Sequence, residues 1–315
     1  MTAVAEPQTI LKSPALTREI SRLQNAKATL KTKLNARNDS QHQIDDETID
    51  QYGAFVDSIP QGGGGLDWSE IGYNAEPQSV IDGFDYAKTI YDNWDSSQTS
   101  LTQKFINDTD IVFMPLVDTS NANDLAACFY GCSSLIYVPS LNTNNVTDLR
   151  STFNRCYSLQ KVDLFNTSNV TSFGNAFEEC RSIQEIPQFD TSNSTSFANT
   201  FYNCINLKTI PQLNFSKAIN ISNLFNQCNQ LTTLGGFLNL GQAYLTTKSA
   251  NYYDYTLRIN STLLTHDSLM NVINGLYDIA TKGCNAQQLI LGSTNLAKLS
   301  AEEISTATNK GWSLS

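Results

Sequence analysis

Cysteine is the residue type in this sequence that combines reactivity with a pattern. Five of the seven cysteines, Cys132, Cys156, Cys180, Cys204 and Cys228, recur at one constant interval along the chain. A thiolate can act as nucleophile or metal ligand. Catalysis, however, needs one thiol beside a base, and zinc needs four ligands grouped in local pairs. A ladder with a long fixed period supplies neither. Cys128 and Cys132 are four apart but have no second pair or nearby histidine. The two histidines, His42 and His266, lie in no motif, and a Cys284–His266 dyad rests on count alone. No Gly-x-Ser-x-Gly and no His-Glu-x-x-His occurs. Asp45-Asp46 and Glu302-Glu303 read as first-turn helix residues, favoured by the macrodipole. Other aspartates lack the spacing of a calcium loop. Asn-x-Ser/Thr triplets at Asn145, Asn169 and Asn193 match glycosylation acceptors, but they recur at the same interval as the cysteines and read as one structural corner repeated. The expectation is no catalytic residue, no metal and no cofactor, with the cysteines as buried free thiols.

The elements that carry this ladder repeat with it. Phe-x-x-Cys-x-x-(Leu/Ile) begins at Phe129, Phe153, Phe177, Phe201 and Phe225 and closes at Leu135, Leu159, Ile183, Leu207 and Leu231. A period of this size marks stacked repeats, each unable to bury its apolar side alone. Leu125, Leu149, Phe173, Phe197 and Ile221 precede each Phe by four residues, and the polar Asp124, Asp148, Ser172, Ser196 and Asn220 come just before. Such a residue caps helix starts, so each unit is predicted to open with a short helix or helical turn. Val138, Val162, Ile186, Ile210 and Leu234 predict a short strand, with Pro139, Pro187 and Pro211 at a strand end or bulge. Thr143-Asn144-Asn145, Thr167-Ser168-Asn169 and Thr191-Ser192-Asn193 predict a corner. A degenerate unit precedes these five, with Asp108 in place of the cysteine. Six coils at strand spacing would extend roughly 25–30 Å.

The pattern Leu-x-x-x-Phe-x-x-Cys-x-x-Leu-x-x-Val-Pro-x-Leu-Asn-Thr-x-Asn-Val resembles the BspA-like leucine-rich repeats, over about residues 80–240. These occur in bacterial surface proteins and in phage or prophage tail proteins. The resemblance implies an α+β repeat solenoid, leucine-rich-repeat-like, with 24-residue coils. The expected organisation is an extended arm over 1–15, a helical module over 16–60, a glycine linker over 61–65, an N-terminal cap over 66–97, repeats over 98–241 and a strand–helix cap over 242–315.

At the N-terminus, Leu16, Ile20, Leu23, Lys27, Leu30 and Leu34 form a short heptad seam weakened by its lysine. Ile49, Tyr52, Val56 and Ile59 repeat the spacing. The segment reads either as an intrachain helical hairpin or as an oligomerising bundle. Its wording from Leu23 through Ile44, then Tyr52-Gly53-Ala54-Phe55-Val56-Asp57-Ser58-Ile59, is similar to N-terminal modules of phage tail-fibre and baseplate proteins. That likeness implies a homotrimer, with residues 1–60 contacting other virion proteins. Heptad spacing alone shows no trimer. Gly62-Gly63-Gly64-Gly65 makes a flexible tether. After residue 240 the sequence predicts a strand over 255–259, a helix from Thr265 to Ala280, a strand over 288–291, and a last helix opened by the capping box Ser300-Ala301-Glu302-Glu303 and closed at Lys310-Gly311. The segment from Leu291 to Trp312 is similar to the terminal caps of phage and gut-bacterial repeat proteins.

A net charge of −10 argues against general nucleic-acid binding. No apolar run long enough for a membrane span is present. The opening Met-Thr-Ala-Val-Ala-Glu-Pro does not read as a secretory signal. A virion protein released by lysis needs none. The expected function is therefore adhesive: a phage tail-fibre or baseplate-associated protein, anchored by its N-terminus, whose repeats contact a host-surface protein or glycan. A bacterial surface adhesin, a head fibre and a glycan-degrading virion enzyme stand as alternatives. The first candidate stripe is the outward strand column Tyr137, Lys161, Glu185 and Thr209. The second is Tyr252, Tyr253 and Tyr255, which could equally be core of the closing coil.

Overall fold

The computed structural model describes residues 83, 86–87, 89–243, 256–282 and 286–315. The chain divides between Glu76 and Pro77, and every described residue lies in the second unit, residues 77–315. The arm, the seam residues Leu16, Ile20, Leu23, Leu30, Leu34, Ile49, Tyr52, Val56 and Ile59, the glycine linker and Tyr252, Tyr253 and Tyr255 lie outside the described residues.

Each 24-residue unit is bonded in parallel to the next. The strands β1 (Tyr137–Val138) and β2 (Lys161–Val162) pair residue for residue at that offset. So do β3 (Thr209–Ile210) with β5 (Thr233–Leu234), and β4 (Leu213–Asn214) with β6 (Phe237–Leu238). Bridges link Ser100, Asp124, Asp148, Ser172, Ser196 and Asn220 in one further row. Strands stop at Pro139 and Pro211, for a direct reason. In the same column the N–H of Asp163 donates to Val138 O at 3.0 Å and that of Gly235 to Ile210 O at 2.9 Å. Proline has no such donor.

Of the short helix or helical turn expected to open each unit, the structure forms turns and no helix, and the backbone shows why. From Leu125 to Cys132 the N–H groups alternate in direction. Leu125, Ala127, Phe129 and Gly131 donate to Asp148, Arg150, Thr152 and Asn154 of the next unit, at 2.8–3.1 Å. Cys128, Tyr130 and Cys132 donate three residues back within the unit. Ala127 (φ 53°) and Gly131 (φ 74°) take left-handed conformations, and Ser151, Arg155, Asn175, Glu179, Asn199, Asn203, Asn223 and Gln227 repeat them. A left-handed residue turns every second N–H outward, so bonds between units replace those of a helix. The expected cap residues close tight turns instead: Asp124 Oδ1 accepts from Ala126 N at 2.7 Å and Asp148 Oδ1 from Arg150 N at 2.8 Å.

Inside, the Phe column is continuous. Trp94, Phe105, Phe129, Phe153, Phe177, Phe201 and Phe225 stack at centroid distances of 6.5, 5.3, 5.6, 5.2, 5.8 and 5.7 Å. The cysteine column runs beside it. Each thiol of Cys132, Cys156, Cys180, Cys204 and Cys228 is buried, free, and donates to the carbonyl of the Phe 27 residues earlier, at 2.9–3.1 Å. At the corners Thr119, Thr143, Thr167 and Thr191 are buried and donate their hydroxyls to the next unit's backbone. The amides of Asn145, Asn169 and Asn193 donate to the preceding unit at 2.6–2.9 Å, so these acceptor-like triplets are structural pegs.

The end of the array uses longer units. The strands β7 (Thr256–Arg258), β8 (Gln287–Ile290) and β9 (Trp312–Leu314) form a parallel sheet in that order. The strand expected over 255–259 is thus three residues, and Ile259 bridges Phe225. Helix α1 (His266–Gly275) starts at the N-cap Thr265 and ends well before the expected Ala280. There Leu276 leaves to bridge Leu240, and Gly275 passes so close to β6 that a Cβ would lie 2.3 Å from Phe237 O. After the short α2 (Ser293–Leu296), α3 (Ala301–Asn309) opens with a complete Ser300–Glu303 capping box. It closes at the left-handed Gly311 (φ 88°), which delivers Trp312 into the core.

Candidate interaction surface

The strand column expected to face outward is built by the inter-unit pairing, which places Tyr137 beside Lys161 and Glu185 beside Thr209. Glu185 is exposed, and Lys161 and Thr209 are half-buried. Tyr137 corrects the expectation: it is 3% exposed and offers no open surface. Val112, Phe113 and Ile136 beside it are buried too, although they stand outside the central core. Gly83 packs against this part of the strand face, since a Cβ on it would sit 2.8 Å from Val112 Cβ. Outward pointing in a strand therefore does not amount to exposure at Tyr137.

Tyr137 is also tied down chemically. Its hydroxyl donates to Asp163 Oδ2, Lys161 Nζ bridges Asp163 Oδ1 at 3.0 Å, and the ammonium lies 5.6 Å from the Tyr137 ring centre. The three side chains make a polar cluster on the strand face. Gln160 Oε1, in the adjoining column, is buried without a hydrogen-bond partner. Downstream, Gln188, Asp190, Gln212, Asn214 and Leu238 line a shallow groove of about 300 Å³. Asp190 is held below the usual carboxylate range by hydrogen bonds from the backbone and hydroxyl of Ser192.

Among the described residues, the ladder cysteines and His266 take part in contacts of the fold itself. Burial pushes the thiols of Cys132 and Cys228 up to about 12, and those of Cys128, Cys156, Cys180 and Cys204 well above their ordinary value. They are therefore poor nucleophiles at neutral pH. His266 Nε2 lies 2.9 Å from Glu303 Oε1, joining α1 to α3. The hypothetical dyad partner Cys284 lies outside the described residues. Among the described residues no group of three or more His, Cys, Asp or Glu could hold a metal ion. None of the described helices is long and apolar enough to cross a membrane.

A second face escaped the sequence reasoning. The variable positions inside Phe-x-x-Cys-x-x-Leu place Tyr130, Arg155, Tyr157, Arg181, Tyr202 and Ile205 along the turn edge of the array. Tyr157 and Ile205 are 36% and 40% exposed. The signal was available: three apolar positions recur in every unit and define the core, so the four between them, where the chain turns, had to project elsewhere.

These observations define a class: parallel-stacked 24-residue repeats with a constant Phe/Cys/Leu interior and a varied exterior. The repeats match the family model described as "Mycoplasma protein of unknown function, DUF285", over residues 97–208 and again over 123–235. This is a BspA-like repeat family, so the likeness read from the motif holds at the level of the repeat. The two matched spans are displaced by roughly one unit, as a periodic sequence requires. No curated protein matches the chain.

Proposed function

We propose that this chain is a recognition protein: a leucine-rich-repeat-like α+β solenoid in a phage virion, associated with the tail fibre or baseplate, that contacts the host surface through its repeats. The observation that carries the reading is the division of labour among columns. Interior columns repeat Phe, Cys and Leu, while exterior columns change from unit to unit, as at Lys161, Glu185 and Thr209. Stacking thereby offers a long surface whose chemistry varies independently of its fold. Residues 1–60, by their likeness to fibre and baseplate modules, would fix a homotrimer to the particle. The protein works by binding rather than catalysis, and needs no cofactor.

The family match favours a second reading, a bacterial cell-surface adhesin, because its description refers to a Mycoplasma protein. Labelled full-length chain should adsorb saturably to intact host cells, and antibody against it should decorate purified particles. Adsorption without decoration would select the adhesin. Failure to adsorb, or shortening of host glycan by the pure protein, would overturn the recognition reading.

A further inference from the structure

We propose that the groove lined by Gln188, Asp190, Gln212, Asn214 and Leu238 binds one neutral sugar ring of a host-surface glycan. Successive units build it. Asn214 pairs in register with Leu238 between β4 and β6, and Gln188 and Asp190 stand one unit before Gln212 and Asn214. The buried Phe189 and Thr191 complete the lining. The fold commits part of each polar side chain and so fixes what the rest offers. Asp190 Oδ1 accepts from Ser192 N at 3.0 Å, and Asn214 Oδ1 from Ser216 N at 2.9 Å. Asn214 therefore keeps its Nδ2 as a donor, and Asp190 its second carboxylate oxygen as an acceptor. Gln188 Nε2 donates to Gln212 O at 2.6 Å and to Phe189 O at 3.2 Å, which leaves its Oε1 as an acceptor. The Gln212 side-chain amide makes no hydrogen bond among the described residues and serves in either role.

This mixture of groups selects the charge of the ligand. Asp190 is held below the usual carboxylate range, so it is ionised at neutral pH and repels an anion. A cation would meet the Asn214 N–H groups and a single carboxylate, and one exposed ion pair contributes little. A hydroxyl both donates and accepts, so neighbouring hydroxyls of a sugar match acceptors set beside donors. Leu238, 39% exposed, offers apolar surface to the C–H face of the ring. At about 300 Å³ the groove lies at the lower end of ligand sites, which suits one ring rather than a chain.

The proposal rests on the reading of the array as a recognition surface and adds a place and a ligand class. Saturation-transfer NMR of the full chain tests it, with neutral trisaccharides of glucose, galactose and mannose, and with trigalacturonate and spermine as charged probes. At least one neutral sugar should bind, in the millimolar range expected of a few net hydrogen bonds, and at least tenfold more tightly than either charged probe. Asp190→Asn and Asn214→Asp keep the Oδ1 that closes each turn and exchange only the uncommitted atom. Each should weaken binding at least fivefold, while Asn142→Asp, a turn residue outside the groove, should stay within twofold. Far-ultraviolet circular dichroism checks that each variant is folded. Gln212→Ala, at an exposed position, replaces any that is not and should weaken binding at least threefold. Failure of all three neutral sugars to bind, equal binding of a charged probe, or unchanged binding by the groove variants would each overturn the proposal. Saturable adsorption to host cells in that event would leave the recognition reading standing.

Discussion

The cysteine column makes the protein sensitive to alkali in a calculable way. Six described cysteines are buried and free, and burial raises every one above its ordinary value of 9.0. A thiol that stays protonated in the fold but ionises in the unfolded chain stabilises the fold fully below about pH 9. That contribution is lost as pH rises, over a window reaching about 12 for Cys132 and Cys228. Above the unfolded value each such thiol costs about 1.4 kcal/mol per pH unit, and six cost about 8 kcal/mol. That is comparable to the whole stability of a typical domain, about 5–15 kcal/mol. Urea unfolding followed by circular dichroism from pH 8 to 10.5 should show stability flat below 9 and falling steeply beyond. Substituting Cys156→Ala and Cys204→Ala together lowers stability at every pH, but should reduce the alkaline slope by about a third. The slope, not the level, is the readout. An unchanged slope in the double variant would refute the burial argument.

Phe177→Ala, which removes a fully buried ring between Phe153 and Phe201, should cost about 3–5 kcal/mol in urea unfolding. Leu164→Ala, at 57% exposure, should stay within about 0.5 kcal/mol. Ala127→Asn should stabilise by about 0.5–1 kcal/mol, read as a rise in Tm, because Ala127 has φ 53° and asparagine tolerates that region better. Ser300→Ala removes the side-chain half of the α3 capping box and should cost about 1 kcal/mol; hydrogen exchange should quicken first at Glu302 and Glu303.

Much of the local structure was written in residue columns. Phe129, Cys132 and Leu135 with their repeats were legible as interior positions because apolar side chains recurring at one period must meet. Ser300 and Glu303 were legible because a capping box is a local bond pattern. The turn after Leu125 was not: residues four apart suggested a helix face, and Ala127, Ser151 and Arg155 give no hint of a left-handed backbone. Asparagine at 175, 199 and 223 was the available clue. Tyr137 was misjudged because a repeat column says which way a side chain points, not how far it is buried. The end of α1 at Gly275 depends on its contact with Phe237, and no local pattern carries that.

Stacking in register is the claim beneath all of this, and removing one unit tests it most directly. A chain lacking residues 171–194, one whole unit, rejoins equivalent positions and should unfold in one cooperative transition, with its remaining ladder thiols as protected from alkylation as before. A chain lacking only residues 183–194, half a unit, brings turn against strand, and should lose both cooperativity and protection. Equal tolerance of the two deletions, or equal failure, would contradict the account.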